Sequence, residues 1–319
     1  MSGPVLVGDV GGTSVRFALA CQDYGRVSVS GFQKLAGDDF PSFEEAIGAY
    51  IDQSQTTPQF ALFAIAGPTD GQKGALTNRP WHICARDIRE RFGLSDVRLV
   101  NDFVAMARAV PEVSASAFVP IKSGVPIKSE PILVAGPGTG LGMATLIGDP
   151  SVGWRVLSGE GGHAAYAPRT REEAELLFAL QTQFDFVHNE IVCSGIGLEA
   201  VRRAISRVRG VDFVPMAATD VVEAAQRGDE VSLAVCQIRA RALLGALGDM
   251  ALSVSARGGV IVAGGVAQTL LSYLRAPESL ARFTDRGART AFISDVPISL
   301  LRLEEAPLIG AGALFFDTH

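Results

Sequence analysis

Cysteine is scarce in this chain: Cys21, Cys84, Cys193 and Cys236 stand far apart and form no CxxC pair. That excludes a zinc ribbon and a dithiol redox motif. Histidine is equally rare, and His82, His163, His188 and His319 are too dispersed to spell a metal-binding motif. Asn78, Asn101 and Asn189, the only asparagines, begin no Asn-x-Ser/Thr glycosylation acceptor. Nor is there an uninterrupted apolar run of about 18 residues, the length a membrane span requires. The most apolar stretch, 240–267, is broken by Arg241, Asp249 and Arg257. Met1-Ser2-Gly3-Pro4-Val5 carries no basic segment leading into a long apolar run, so no secretory signal is read. An excess of positive charge is missing too. With 28 basic against 34 acidic residues the net charge is −6, and the pI is near 5.3. That balance argues against a nucleic-acid groove or an anionic lipid surface as the main partner. These absences together lead us to expect a reduced, cytoplasmic compartment and no membrane or nucleic-acid partner.

What is present is a large core and much glycine. Hydrophobic residues make up 48% of the 319 and charged residues 19%, with a mean hydropathy of +0.26. Such a chain is not disordered, and its length suits two domains of about 150 residues each. Glycine occurs 35 times, where average usage of about 7% would supply roughly 22. The glycines cluster in short loops after apolar runs, where backbone must approach something closely.

The pattern along the chain predicts strands mixed with covering helices. Pro4–Asp9, Ser14–Ala20 and Val27–Leu35 read as strands, with a tight Gly11-Gly12 hairpin between the first two. Ser42 caps a helix whose Phe43, Ile47, Tyr50 and Ile51 share a face. Gln59–Ala66 and Val97–Val100 are further strands, and Arg86–Phe92 and Phe103–Val110 further helices. A loop is expected from Pro120 to Pro131. The opening pattern then restarts: sliding Val7–Ala20 onto Val134–Ile147 lays Gly11 on Gly138 and Leu19 on Leu146. This internal match suggests duplicated halves. The remainder is mostly helical, over about 171–184, 195–209, 218–227 and 229–256. Strands at Val260–Ala263 and Ile298–Leu303 and a final helix from Ala306-Pro307 complete an α/β architecture with two sheets.

Three glycine turns follow apolar strands: Gly11-Gly12-Thr13, Gly136 to Gly142, and Gly264-Gly265. Backbone N–H groups can converge on an anion there without a Cβ in the way, and Thr13 and Thr139 add hydroxyls. No Walker A sequence occurs. Gly195-Ile196-Gly197-Leu198-Glu199-Ala200 fits a GxGxxA pattern, but no long strand precedes it, which argues against a dinucleotide fold. Asp9 ends a buried strand; it can accept N–H bonds in the turn or hold Mg²⁺ through water beside phosphates. Asn101-Asp102 ends another, and Asp102 can be a plain cap for a helix starting at Phe103. Glu160-Gly161-Gly162-His163 is broken by glycine, a polar pair on a loop suited to hydroxyl recognition. Glu190 precedes a strand or turn at Ile191–Cys193.

In order along nearly the whole chain, Val7 to Thr13 with Arg16, Asn101-Asp102-Phe103, Gly136 to Gly142, Gly159 to His163, and Ala263-Gly264-Gly265 resemble bacterial glucokinases of the hexokinase-like group. The resemblance implies an actin/hexokinase/Hsp70-like ATPase fold, with two ribonuclease-H-like α/β domains flanking a central cleft. The expected division is a small domain of 1–110 plus 301–319 and a large one of 111–300. It implies phosphorylation of D-glucose at O6 by ATP and Mg²⁺, the first step of glycolysis. By motif match, Asp102 takes the catalytic-base position; Asn101, Glu160, His163 and Glu190 take those that bind sugar hydroxyls, with Asn78 in a minor sugar-side role. Gly11, Gly12, Thr13, Gly138, Thr139, Gly264 and Gly265, with Asp9, take the nucleotide side, and no protein group is expected to ligate metal directly. Related ROK-type kinases carry a cysteine-rich zinc motif after the matching histidine. Here Ala164-Ala165-Tyr166-Ala167-Pro168 follows instead, so structural zinc is not expected. A homodimer is implied by the same resemblance. Competing readings are a kinase for mannose, fructose or an amino sugar, a non-catalytic sugar sensor, and an ATPase or chaperone of the same fold. The sensor has no need of Asp102 and three phosphate turns, and the ATPase leaves Glu160 and His163 without a task. No helix-turn-helix segment precedes Gly8, so a DNA-binding repressor is not expected.

Overall fold

A computed structural model describes residues 3–76 and 79–317. The chain forms two compact units. One comprises Met1–Ala117, Asp149–Ser158 and Leu303–His319; the other comprises Phe118–Gly148 and Gly159–Arg302.

In the first unit, β1 (Val5–Val10) is buried along its whole length. An apolar strand covered on both faces belongs in the interior of a sheet. It pairs antiparallel with β2 (Ser14–Asp23), Val10 facing Val15, through a turn closed by a 3.0 Å bond from Gly11 N–H to Ser14 O. With β3 (Arg26–Ala36), β4 (Phe60–Ile65) and β7 (Asp96–Asn101), the five-stranded order is β3-β2-β1-β4-β7. The strands β1, β4 and β7 run parallel. Period-two alternation sends Leu6 and Val10 to one core and Val5 and Val7 to another. The first core lies under the helix Phe43–Ser54, whose N-cap Ser42 accepts the Glu45 N–H. There Phe17, Phe43, Tyr50 and Phe63 stack and meet edge to face. The second core lies under the helices Asp102–Ala109 and Ala306–Phe316. These two helices touch backbone to backbone: a Cβ on Gly310 would stand 1.8 Å from the Ala105 carbonyl oxygen. Arg108 adds a two-pronged ion pair to Asp317 at 2.6 and 2.9 Å. A small hairpin of β5 (Lys73–Leu76) and β6 (Arg79–Cys84) lies in the same unit.

A six-stranded sheet has the order β11-β10-β9-β12-β13-β8. Its members are β8 (Phe118–Lys122), β9 (Ile132–Pro137), β10 (Leu141–Asp149), β11 (Gly153–Gly159), β12 (Gly259–Val262) and β13 (Ile298–Leu301). The first five in that order repeat the arrangement of the other sheet. A central strand (β1 or β9) pairs antiparallel with the strand that follows it. On its other side it pairs in parallel with a strand that is itself parallel to a fifth. The sequence match of Val7–Ala20 to Val134–Ile147 is thus one corner of a duplicated topology.

The helix Glu230–Ser253 is long and apolar enough to cross a membrane by length and composition, yet 78% of its apolar window is buried. It is the core helix of the second unit, with Val235, Ile238, Leu243, Leu244 and Leu247 inaccessible.

Several elements depart from the sequence expectation. Pro120 lies inside β8, not at the start of a loop. That strand is at the sheet edge, where a missing N–H is tolerated, and its register slips beside Ser299. Strands β5, β6 and β11 were not anticipated. Ile191–Cys193 is neither strand nor turn but the end of a helix, Asn189–Cys193. Its terminal carbonyls are held by the buried Arg239, which donates to Cys193 O at 3.0 Å and Ser194 O at 2.8 Å.

Candidate functional site

In the first unit, register decides which residues share the carboxyl ends of the parallel strands. Asp9 lies beside Ala64, which lies beside Val100; Val10, Ile65 and Asn101 form the next row. Open α/β sheets present ligands at such strand ends. Asp9 is 7% exposed, and its Oδ2 accepts from Arg16 Nη1 at 2.6 Å. Glu304 accepts from both Arg16 and Lys34, so Arg16 is gripped from two sides. Burial pushes the Asp9 carboxyl above the usual carboxylate range, against the pull of Arg16.

The Gly11-Gly12-Thr13 turn uses its Gly11 N–H internally, as noted. The Thr13 carbonyl accepts from Gly37 N–H at 3.0 Å, and the Gly12 carbonyl from Arg79 Nε at 3.2 Å. Arg79 lies over the Trp81 ring, 4.7 Å from its centroid. The turn is thus braced through its carbonyls, and the Thr13 side chain is exposed.

Asp102 opens its helix instead of capping it. The N-cap is Asn101, and Phe103 N–H is shared at 2.9 Å by Asn101 Oδ1 and Asp102 Oδ1. Asn101 Nδ2 reaches back to Gly67 O at 3.4 Å, tying the strand end to the loop after β4. The half-buried Asp102 carboxylate stands in a helix first turn, where negative charge is favoured.

In the second unit the turn after β9 is closed by Gly138 N–H to Gly140 O at 2.8 Å. Gly195 N–H and Ile196 N–H donate to Gly138 O and Thr139 O, so the GxGxxA-like segment clamps this turn instead of binding a dinucleotide. Glu190 Oε2 accepts the Leu141 N–H at 2.7 Å, and a Cβ on Gly140 would lie 2.4 Å from that oxygen. The third turn packs against the second. A Cβ on Gly136 would stand 2.0 Å from Ala263 O, and one on Gly264, at φ 93°, 2.6 Å from Pro137 O. Gly265 faces open space.

Glu160 is the N-cap and His163 the last residue of a 3₁₀ turn, Gly161–His163, in which His163 N–H donates to Glu160 O at 3.0 Å. Both side chains are exposed. The glycines between them let the turn lie on β10, since a Cβ at Gly162 would meet Leu141 O at 2.1 Å. His163 Nε2 is 3.7 Å from Glu190 Oε1. The ring of His188 stacks on His163 with centroids 4.3 Å apart. His188 Nδ1 is buried without a hydrogen-bond partner, and burial lowers the pKa of His188, with help from His163.

The structure therefore brings Glu190, His163 and the Gly138–Thr139 turn together within the second unit, and Asp9 and Asn101-Asp102 onto one strand edge in the first. Asn78 lies outside the described residues. His188, whose ring stacks on His163, is not singled out by the sequence motifs.

A family described as Glucokinase matches residues 6–318. The chain is 36% identical over 312 residues to a glucokinase of Pectobacterium atrosepticum, covering 97% of this chain and 96% of that one. It superposes on the crystal structure of a glucokinase from an Antarctic psychrotroph with a TM-score of 0.88, at 32% identity and over 99% of this chain and all of the other. A glucokinase of Balamuthia mandrillaris, solved with glucose bound, has the same fold, with TM-score 0.78, 22% identity and coverage of 99% and 94%.

Proposed function

The chain belongs to the glucokinase family, and from that premise we propose how its residues divide the reaction. The protein is a kinase that transfers a phosphoryl group from ATP to D-glucose, giving glucose 6-phosphate. Phosphoryl transfer asks little covalent help of a protein; positioning and charge stabilisation dominate.

Asp102 accepts the proton of the O6 hydroxyl as the bond to phosphorus forms. Asn101, Glu160, His163 and Glu190, with Asn78 in a lesser role, pair with the remaining hydroxyls as donors and acceptors. A site built this way leaves its own polar groups unpaired when a sugar lacks the matching hydroxyl, which is a strong basis for rejection. Gly12 and Thr13, with Gly11 shaping their turn, present N–H groups to phosphate oxygens. Thr139, Gly264 and Gly265 do the same on the second sheet, with Gly138, whose N–H closes its turn, shaping that loop. Mg²⁺, when bound with ATP, neutralises phosphate charge. Asp9, already engaged by Arg16, suits contact through a water better than direct ligation, so its buried charge orders the phosphate end of the site. The reading extends to a cytoplasmic homodimer.

The observation that carries the proposal is the position of Asp102: the first residue of a helix leaving a parallel strand, with Asp9 on the same strand edge. The test is ATP-dependent formation of glucose 6-phosphate, measured beside a panel of mannose, fructose and glucosamine. Loss of a charged hydrogen-bond acceptor costs roughly 1.5–3 kcal/mol. Glu160→Gln should accordingly raise the KM for glucose about tenfold or more and also lower turnover. A variant with the parental sugar profile and KM would remove Glu160 from the sugar side.

A further inference from the structure

In the second unit the stretch from Glu190 to Ile196 joins a sugar-side group to a phosphate-side turn. At one end Glu190 Oε2 accepts the Leu141 N–H at 2.7 Å. At the other, Gly195 N–H and Ile196 N–H donate to Gly138 O and Thr139 O at 2.9 and 3.0 Å. Between them the buried Ser194 donates twice to Glu190 O, from its N–H at 2.9 Å and from Oγ at 2.7 Å. Glycine permits the close fit: a Cβ on Gly195 would stand 3.1 Å from Gly138 O, and one on Gly197 1.8 Å from Ile191 O.

Arg239 reaches this stretch from the core helix Glu230–Ser253. It is buried, and its Nη2 donates to both Cys193 O and Ser194 O. Among the described residues no carboxylate pairs with it; the polarisable groups facing it are the buried Cys193 and Cys236. Its Nε is buried without a partner. A buried cation lacking a counter-charge is costly, and apolar residues of similar volume often serve a core as well or better. Packing of the helix alone therefore gives no reason for a guanidinium here. The two carbonyls it holds belong to consecutive peptide planes. Each plane is rigid, so fixing Cys193 O aims the Ser194 N–H at Glu190 O, and fixing Ser194 O aims the Gly195 N–H at Gly138 O.

The geometry points to Arg239 as a positioning residue for the reaction: through two peptide planes it sets the sugar ligand Glu190 and the phosphate turn Gly138–Thr139 in one register. The inference rests on the reading of Glu190 as a hydroxyl ligand and of Thr139 as a phosphate contact. Arg239 is enclosed by the core and acts only through the backbone it holds. Without the guanidinium both planes are free to turn. Glu190 and the Gly138–Thr139 turn then lose their common anchor together, and the contacts to glucose and to ATP weaken as one.

Arg239→Met keeps much of the apolar stem and removes the charge, and it is compared with the parent in two arms. The first uses no substrate: hydrogen–deuterium exchange is read on the peptides that carry Leu141, Gly195 and Ile196. Exchange there should become at least about tenfold faster, while the peptide spanning Val5–Val10 keeps its parental rate. Parental exchange at all three positions overturns the pin, whatever the substrate contacts are. In the second arm, well below the melting temperature, the KM for glucose and the KM for MgATP should each rise at least about fivefold. A merely structural role would lower the Tm and the active fraction and leave both KM values near the parent. That result, or a rise in one KM alone, overturns joint positioning. Arg239→Lys restores a charged donor and should recover part of each effect; no recovery overturns the role of the hydrogen bonds. Arg239→Leu carries the same two readouts if the methionine variant does not fold. The premise is judged apart, from the glucose KM of Glu190→Gln, which keeps an acceptor for the Leu141 N–H. A parental value there removes Glu190 from the sugar side and leaves the exchange result standing.

Discussion

Replacing Asp102 by asparagine is expected to lower kcat by at least about 10²-fold while glucose binding is largely kept, in line with typical general-base contributions. The substitution is local by construction. Asn keeps an Oδ1 acceptor for the Phe103 N–H that Asp102 now shares with Asn101, so the helix start stays capped. The Phe103 N–H bond is retained, while the carboxylate's charge and its capacity to take a proton are removed. Glucose affinity by calorimetry and turnover by glucose 6-phosphate formation separate the two roles. Parental turnover would strip Asp102 of the base role; lost affinity with intact turnover in saturating sugar would make it a binding residue instead.

The second large effect comes from Gly310→Ala, in a helix that touches no proposed ligand. The added Cβ would lie 1.8 Å from the Ala105 carbonyl oxygen, 2.7 Å from its carbon and 2.9 Å from the Ala109 nitrogen. These are backbone atoms, so the helices Ala306–Phe316 and Asp102–Ala109 must part. Overpacking typically costs about 1–3 kcal/mol, and a collision with helix backbone belongs at the upper end. We expect a loss of about 3 kcal/mol, seen as a Tm roughly 4–5 °C lower at this chain length. The displaced helix begins at Asp102, and a misplacement of about 1 Å can cost 10²-fold in rate. Turnover of the folded fraction should therefore fall as well. A Tm within about 2 °C of the parent would show that the helix pair yields without strain. Gly48→Ala is the contrast: its Cβ meets nothing nearer than Phe92 Cε1 at 3.8 Å inside a helix. There alanine should stabilise by about 0.5–1 kcal/mol.

The parts of the fold that were legible in the sequence are those where a local rule and the tertiary structure agree. Ser42 and the Phe43, Ile47, Tyr50 spacing gave both a cap and a buried face, and both are present. The glycine hairpins followed from apolar runs ended by residues without a Cβ. The strands that escaped notice lack a pattern strong enough to stand alone. β11 is mostly exposed, β8 contains Pro120, and β6 alternates around His82 with only Trp81 and Ile83 buried. The short helix at Asn189–Cys193 escaped for a different reason. Ile191 and Val192 favour strands by intrinsic preference, and the helix is completed by Arg239, from a distant element. The same distance hid the His163–His188–Glu190 cluster. Sequence identified two of its members as sugar ligands, but only the fold of the 3₁₀ turn over β10 stacks the third upon them.

The doubled topology has an asymmetry built into its chemistry. Sliding the first hairpin onto the second sets Gly136 where Asp9 stands. At Gly136 the Ala263 carbonyl occupies the space any side chain would need. An acid can be carried by the hairpin of one half only, and the other is obliged to offer bare peptide. The two halves are consequently not interchangeable, and a chimera that repeats the Asp9 hairpin in both sheets would break the second before it could acquire a second charge.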